Sequence, residues 1–135
     1  MPRPSTIIAS GLFTGAGVMH FARPDFFESI VPDWFPDARL ATVGSGAAEI
    51  ALGLGLLPPA TRRISALGLI ALVAVVFPAN VDMAVNDVEV KPVDGQMTRS
   101  VGTARGSGRL INWLRLPMQI PMVIGMWRIA QGARR

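Results

Sequence analysis

The chain has 135 residues, of which 50% are hydrophobic and 16% charged, with a mean hydropathy of +0.42 and a formal net charge of +4. A soluble domain carries roughly 25% charged residues, so this composition speaks against a soluble enzyme and a disordered tail. It also speaks against a nucleic-acid-binding domain: twelve of the thirteen basic residues are Arg, and they form no basic face with interleaved aromatics. The composition suits a small integral membrane protein with arginines at its membrane edges.

Taken in chain order, four stretches approach the ~20 residues of helix that a bilayer core requires. The first is about 5–22. Small and polar residues interrupt it, and no small-x-small site precedes a soluble remainder, so it reads as a retained helix and not a cleavable signal. Residues 23–39 follow, with four acids, three Phe and one Trp in 17 residues. Phe26, Phe27, Ile30, Val31, Trp34 and Phe35 recur at spacings of one, three and four. This predicts a short amphipathic turn lying on the bilayer surface, opened by Pro24 and broken by Pro32 and Pro36. The second span is about 40–57. A tight turn over 58–62 places Arg62 and Arg63 at a membrane edge. The third span, about 63–85, holds no polar side chain from 66 to 77. Residues 86–109 are polar and read either as a hairpin about Asp94-Gly95 or as an irregular loop. The fourth span is about 110–131. The fold expected is therefore all-α, a single domain of four transmembrane helices with an interfacial aromatic segment after the first. Arginine density on the short acid-poor segments predicts both termini on the cytoplasmic side.

Charged and amide side chains inside a membrane are costly and need partners. Five fall within the spans: His20, Glu49, Asn80, Arg115 and Gln119, with Asp82 near an edge. At 1.5 Å of rise per residue, all five lie between about 4 and 14 Å below the surface that carries the acidic loop. They form one polar layer, a candidate ligand-binding site. Ser45, Gly46, Glu49 and Gly53 share a small-residue stripe that lets a neighbouring backbone approach, and Gly11 and Gly15 form a GxxxG on the first helix. Pro78, Pro117 and Pro121 each free a carbonyl four residues earlier. The layer admits three readings: a structural network, the lining of a ligand site, or a proton or ion path.

The chain has no Cys, no Tyr and one His. Disulfide, CxxC and thiolate-metal chemistry are excluded within it, and His20 has no second strong ligand for a metal or haem. No catalytic residue and no metal site is assigned.

The strings HFARPDFFESIVPDWFP, GSGAAEIALGLGLLPPATRR, FPANVDMAV and RLPMQIPMVIGMW, in this order, resemble the DoxX-like family of small bacterial membrane proteins. The likeness covers roughly residues 11–130. It implies a four-helix protein of the bacterial inner membrane. The family takes its name from a subunit of a thiosulfate:quinone oxidoreductase, and other members resemble partners in membrane redox or oxidative-stress complexes. The absence of Cys and of any cofactor motif keeps an enzymatic activity from being carried over. The function expected is a non-enzymatic membrane subunit or anchor for a redox partner, with quinone or lipid at the polar layer. No cofactor is intrinsic to the chain, quinone being the one the layer would take. Phe26, Phe27, Trp34 and Phe35 would form the entrance. The alternatives are a small-solute transporter or exporter and a purely structural network. Membrane lipid, a redox partner protein and a second copy of the chain are the partners considered.

Overall fold

A computed structural model describes residues 1–133. It is mostly helical, with α1 (Pro4–Ala22), α2 (Pro24–Ile30), α3 (Ala38–Gly55), α4 (Pro59–Val85), β1 (Glu89–Val93), β2 (Gln96–Ser100) and α5 (Gly106–Gly132). The four long helices occupy the four expected spans. Two of them, α1 and α4, are long and apolar enough to cross a membrane. The all-α expectation needs one correction, because residues 89–100 form a two-stranded antiparallel sheet.

Each boundary has a local cause. Pro4, Pro24 and Pro59 open α1, α2 and α4, where a missing N–H costs nothing. The Asp37 side chain caps α3 by accepting the Leu40 N–H at 2.9 Å. At the end of α4 the chain turns with Asp87 at φ 47°, and the Val88 N–H returns to the Met83 carbonyl at 3.0 Å. That is a Schellman closure with Asp in the position that glycine usually fills, and the Asp87 carboxylate is held by Arg109 at 2.9 Å. Asn112 of α5 is buried and donates to the carbonyls of Met83 and Val88 at 3.1 and 2.7 Å, fixing α5 to this turn.

The hairpin turns on Asp94 and Gly95, both at positive φ, between the paired residues Val93 and Gln96. Two positive-φ residues make the type I′ turn that matches strand twist. Pro92 faces Met97 in a pair whose backbone groups point away from the partner strand, so its missing N–H leaves no gap in the ladder. The outward groups of Met97 meet α2 instead. The Met97 N–H donates to Asp25 Oδ2 at 3.0 Å, and the Ser29 hydroxyl lies 2.9 Å from the Met97 carbonyl. Arg99 on β2 pairs with Asp82 at the end of α4 and with Asp33 after α2. The hairpin and α2 thus form one cap over one end of the helices.

Beneath the cap the helices pack as two close pairs, α1 with α3 and α4 with α5, joined through α3 and α4. Glycine sets the first contact. A Cβ at Gly17 would meet the Gly46 carbonyl at 2.6 Å, and one at Gly53 would meet the Thr14 N at 2.9 Å. Gly46 and Gly53 of the expected stripe are at this interface. Gly11 and Gly15 are not, since nothing lies within 4 Å of either position; α1 turns Ser10, Thr14 and Gly17 toward α3, and the GxxxG pair faces outward. At the end opposite the cap, Phe13, Leu56, Leu69 and Met126 form a buried apolar core.

Candidate functional site

The cap and the core leave a cavity of about 480 Å³ between them, lined by residues of α1, α2, α3, α4 and the loop after α2. Three of the five polar residues expected from the sequence meet here: His20, Glu49 and Asn80. The surrounding walls include Phe27, Trp34, Phe35, Leu72 and Val76.

His20 reaches this position because α1 and α3 approach so closely: a Cβ at Gly46 would come within 2.7 Å of the His20 Cβ. Its Nδ1 lies 2.8 Å from the Ala16 carbonyl one turn back and 3.3 Å from Glu49 Oε2. The closer, better-aligned acceptor is the carbonyl, so in the neutral ring Nδ1 carries the proton and Nε2 is left as an acceptor. Phe27 stacks on the imidazole with ring centres 3.7 Å apart and an interplanar angle of 22°, and Phe26 meets Phe27 edge-on at 5.3 Å. The ring is therefore held on one face by α2 and at one nitrogen by α1.

The His20 and Glu49 side chains are 11% and 17% exposed, yet Glu49 Oε2 is buried without a hydrogen-bond donor. Thr42 Oγ1, two turns before Glu49 on α3, also lacks a partner and lines the same cavity. Thr42 was not singled out from the sequence, although its place three residues before Ser45 and seven before Glu49 puts it on one helical face with them. Buried polar atoms without partners mark places where a ligand or water completes the structure.

Arg115 and Gln119 lie elsewhere. Arg115 points at α4, with Nη1 3.3 Å from Met83 Sδ. Gln119 lines an apolar hollow between α4 and α5 with Phe77 and Val123, and its Oε1 is buried without a donor. Among the interfacial aromatics, Phe27, Trp34 and Phe35 line the cavity itself, while Phe26 buttresses Phe27. No cluster of three or more His, Cys, Asp or Glu residues suited to a metal ion occurs among the described residues.

The elements and cavity define a mostly helical protein with two helices able to cross a membrane and a mostly apolar chamber, holding a few polar side chains, under an aromatic cap. The chain belongs to a family described as a domain of unknown function (DUF8561), whose model matches residues 9–130. No curated protein and no solved structure matches the chain.

Proposed function

We propose that α1, α3, α4 and α5 all cross a bilayer, with the cap on one surface and both termini on the cytoplasmic side of a bacterial inner membrane. Outward exposure of apolar side chains supports this reading. The apolar windows of α1 and α4 are only 28% and 22% buried, whereas the core helix of a soluble protein would be mostly buried. The other two long helices also face outward with large apolar groups, including Leu40 and Leu54 on α3 and Trp113, Met118, Ile120 and Trp127 on α5. Soluble monomers rarely expose contiguous apolar patches beyond a few hundred Å². Hydrocarbon is the surrounding that suits such a surface, and the DoxX-like resemblance agrees with it.

Within that bundle, the chamber suits a flat lipophilic ligand with carbonyl or hydroxyl oxygens, the quinone class. The protein would then be a non-enzymatic membrane subunit serving a redox partner. One observation carries this reading: His20, Glu49 and Asn80 converge on 480 Å³ of space walled by three aromatics, with Glu49 Oε2 still lacking a donor. Thr42 Oγ1 lines the same cavity and lacks a partner as well. The Asn80 amide offers an N–H to a ligand oxygen, His20 Nε2 accepts from a ligand hydroxyl, and the Glu49 carboxyl takes or returns a proton beside it. A bound quinone would supply two-electron, two-proton redox chemistry.

The test is a titration of the protein in detergent micelles with a short-chain benzoquinone, following Trp34 emission in a Trp113→Phe/Trp127→Phe background. Saturable quenching is expected. Glu49→Gln and Asn80→Leu should each weaken it about tenfold, as expected when one buried hydrogen-bond partner is removed. Linear, unsaturable quenching in the unmodified site would sink the reading, as would curves in both variants that match that of the unmodified site.

A second reading, a small-solute exporter, draws on a different observation. Glu49 also lines a groove that opens toward the opposite end, so one carboxylate borders both spaces. Alternating access uses such a shared midplane group. Proteoliposome flux that survives Glu49→Gln would count against it.

A further inference from the structure

That groove lies between α1 and α5 and encloses about 880 Å³. It exists because α1 packs on α3 and α5 on α4, leaving a seam where the two pairs meet. Leu12, Phe13, Met122 and Met126 wall it, and Arg3, Arg62 and Arg128 border it near the chain termini. From Arg128 back to Pro121, a groove residue on the same helix, is about 10 Å of helix.

The charge at this end has one sign. No Asp or Glu occurs in residues 1–24, 50–81 or 95–133, so Glu49, at the groove's inner end, is its only acid. None of the three arginines has a carboxylate partner among the described residues. Arg62 is fixed in place: its Nε and Nη2 donate to the carbonyls of Leu56 and Leu57 that α3 leaves open at its C-terminus. Arg3 reaches across to α5, where a Cβ on Gly132 would lie 3.3 Å from its Nη1.

We infer that the groove holds one anionic phospholipid, with an acyl chain along the apolar walls and its phosphate among Arg3, Arg62 and Arg128. This rests on the bilayer-spanning reading above. Charge complementarity selects the occupant. Basic pockets between membrane helices on the cytoplasmic side suit anionic headgroups, and the leaflet places phosphates at the level of these arginines. A second copy of the chain would bring its own arginine cluster to the same level, like charge against like.

Native mass spectrometry from mild detergent, with phosphatidylglycerol or phosphatidylcholine added, tests the inference. One retained phosphatidylglycerol is expected, favoured about tenfold over phosphatidylcholine. The preference should vanish in Arg3→Gln/Arg128→Gln. Leu12→Trp, which fills the groove and leaves the arginines intact, should lower retention of both lipids. Equal retention of the two lipids, undiminished preference in the arginine variant, or a bound second chain in place of lipid would overturn the groove proposal alone. Release of the protein from membranes by alkaline carbonate would instead overturn the bilayer reading on which it rests.

Discussion

Glu49 and Asp82 are the only acids in the four long helices, and the fold treats them differently. Asp82 is 10% exposed and is paired with Arg99 of the hairpin. Glu49 keeps an oxygen without a donor beside a cavity. A group retained for a ligand is often a liability for the empty fold. Glu49→Gln should therefore leave the melting temperature of the ligand-free protein unchanged or raise it, while weakening quinone binding. A fall of many degrees, measured by circular dichroism in micelles, would make Glu49 a packing residue. Asp25 gives a prediction with a sign. The Met97 N–H that it accepts holds its carboxyl below the ordinary value of 3.8. The contribution of Asp25 to cap docking is thus complete above that value and is lost as pH falls through the depressed one. Trypsin cleavage after Arg99 should be slow at near-neutral pH, where Asp25 is charged, and should rise at the same pH in Asp25→Ala. Equal cleavage of the two proteins would show that the contact does not hold the cap. Position along a helix was legible in the sequence, and three of the residues it singled out, His20, Glu49 and Asn80, line one cavity. Azimuth was not, because the face a helix turns inward depends on its partner. Arg115 and Gln119 share the level of the site but face α4 or the α4–α5 hollow, and Gly11 and Gly15 face outward.

At the scale of elements, local signals were readable and docking was not. Proline positions and the Asp94-Gly95 turn each act within a few residues, so the ends of α2 and the hairpin alternative could be seen in the chain itself, whereas the Asp37 cap, equally local, came only from the structure. What fastens the hairpin joins Asp25 to Met97 and Arg99 to Asp82, and what fastens α5 joins Asn112 to Met83, pairs that no periodicity links. Asn112→Leu removes both donors from the end of α4 and should cost about 1–3 kcal/mol, as for other buried hydrogen-bonding groups. Thermal or denaturant unfolding would check it, and an unchanged midpoint would remove Asn112 from the account. Gly46→Leu should be harsher. The obstructing atoms are the His20 Cβ and the Gly17 carbonyl, which cannot swing aside, so α1 must move off α3 and carry His20 out of the cavity. Quinone quenching and melting temperature should both fall in this variant, whereas Gly11→Leu, which meets nothing within 4 Å, should leave both unchanged.

For the whole molecule, the low charge fraction describes a surface. Most charges lie in the cap, at the turn after α3 and at the termini, and the sides of the helices between them expose Ile, Leu, Met and Trp. Both sites depend on that arrangement, since the aromatic chamber opens beneath one surface and the arginine-bordered groove near the other. The crossing by α4 between these two sites, from the groove's end to the cap's, is the central claim, and the absence of Cys allows it to be tested with single-cysteine reporters. Ala60→Cys lies at the start of α4 and Val93→Cys beside the hairpin turn, both on exposed positions. A membrane-impermeant maleimide added to intact spheroplasts should label Val93→Cys and should reach Ala60→Cys only after permeabilisation. Labelling of both positions from the same side, or of neither until the membrane is opened, would contradict the account.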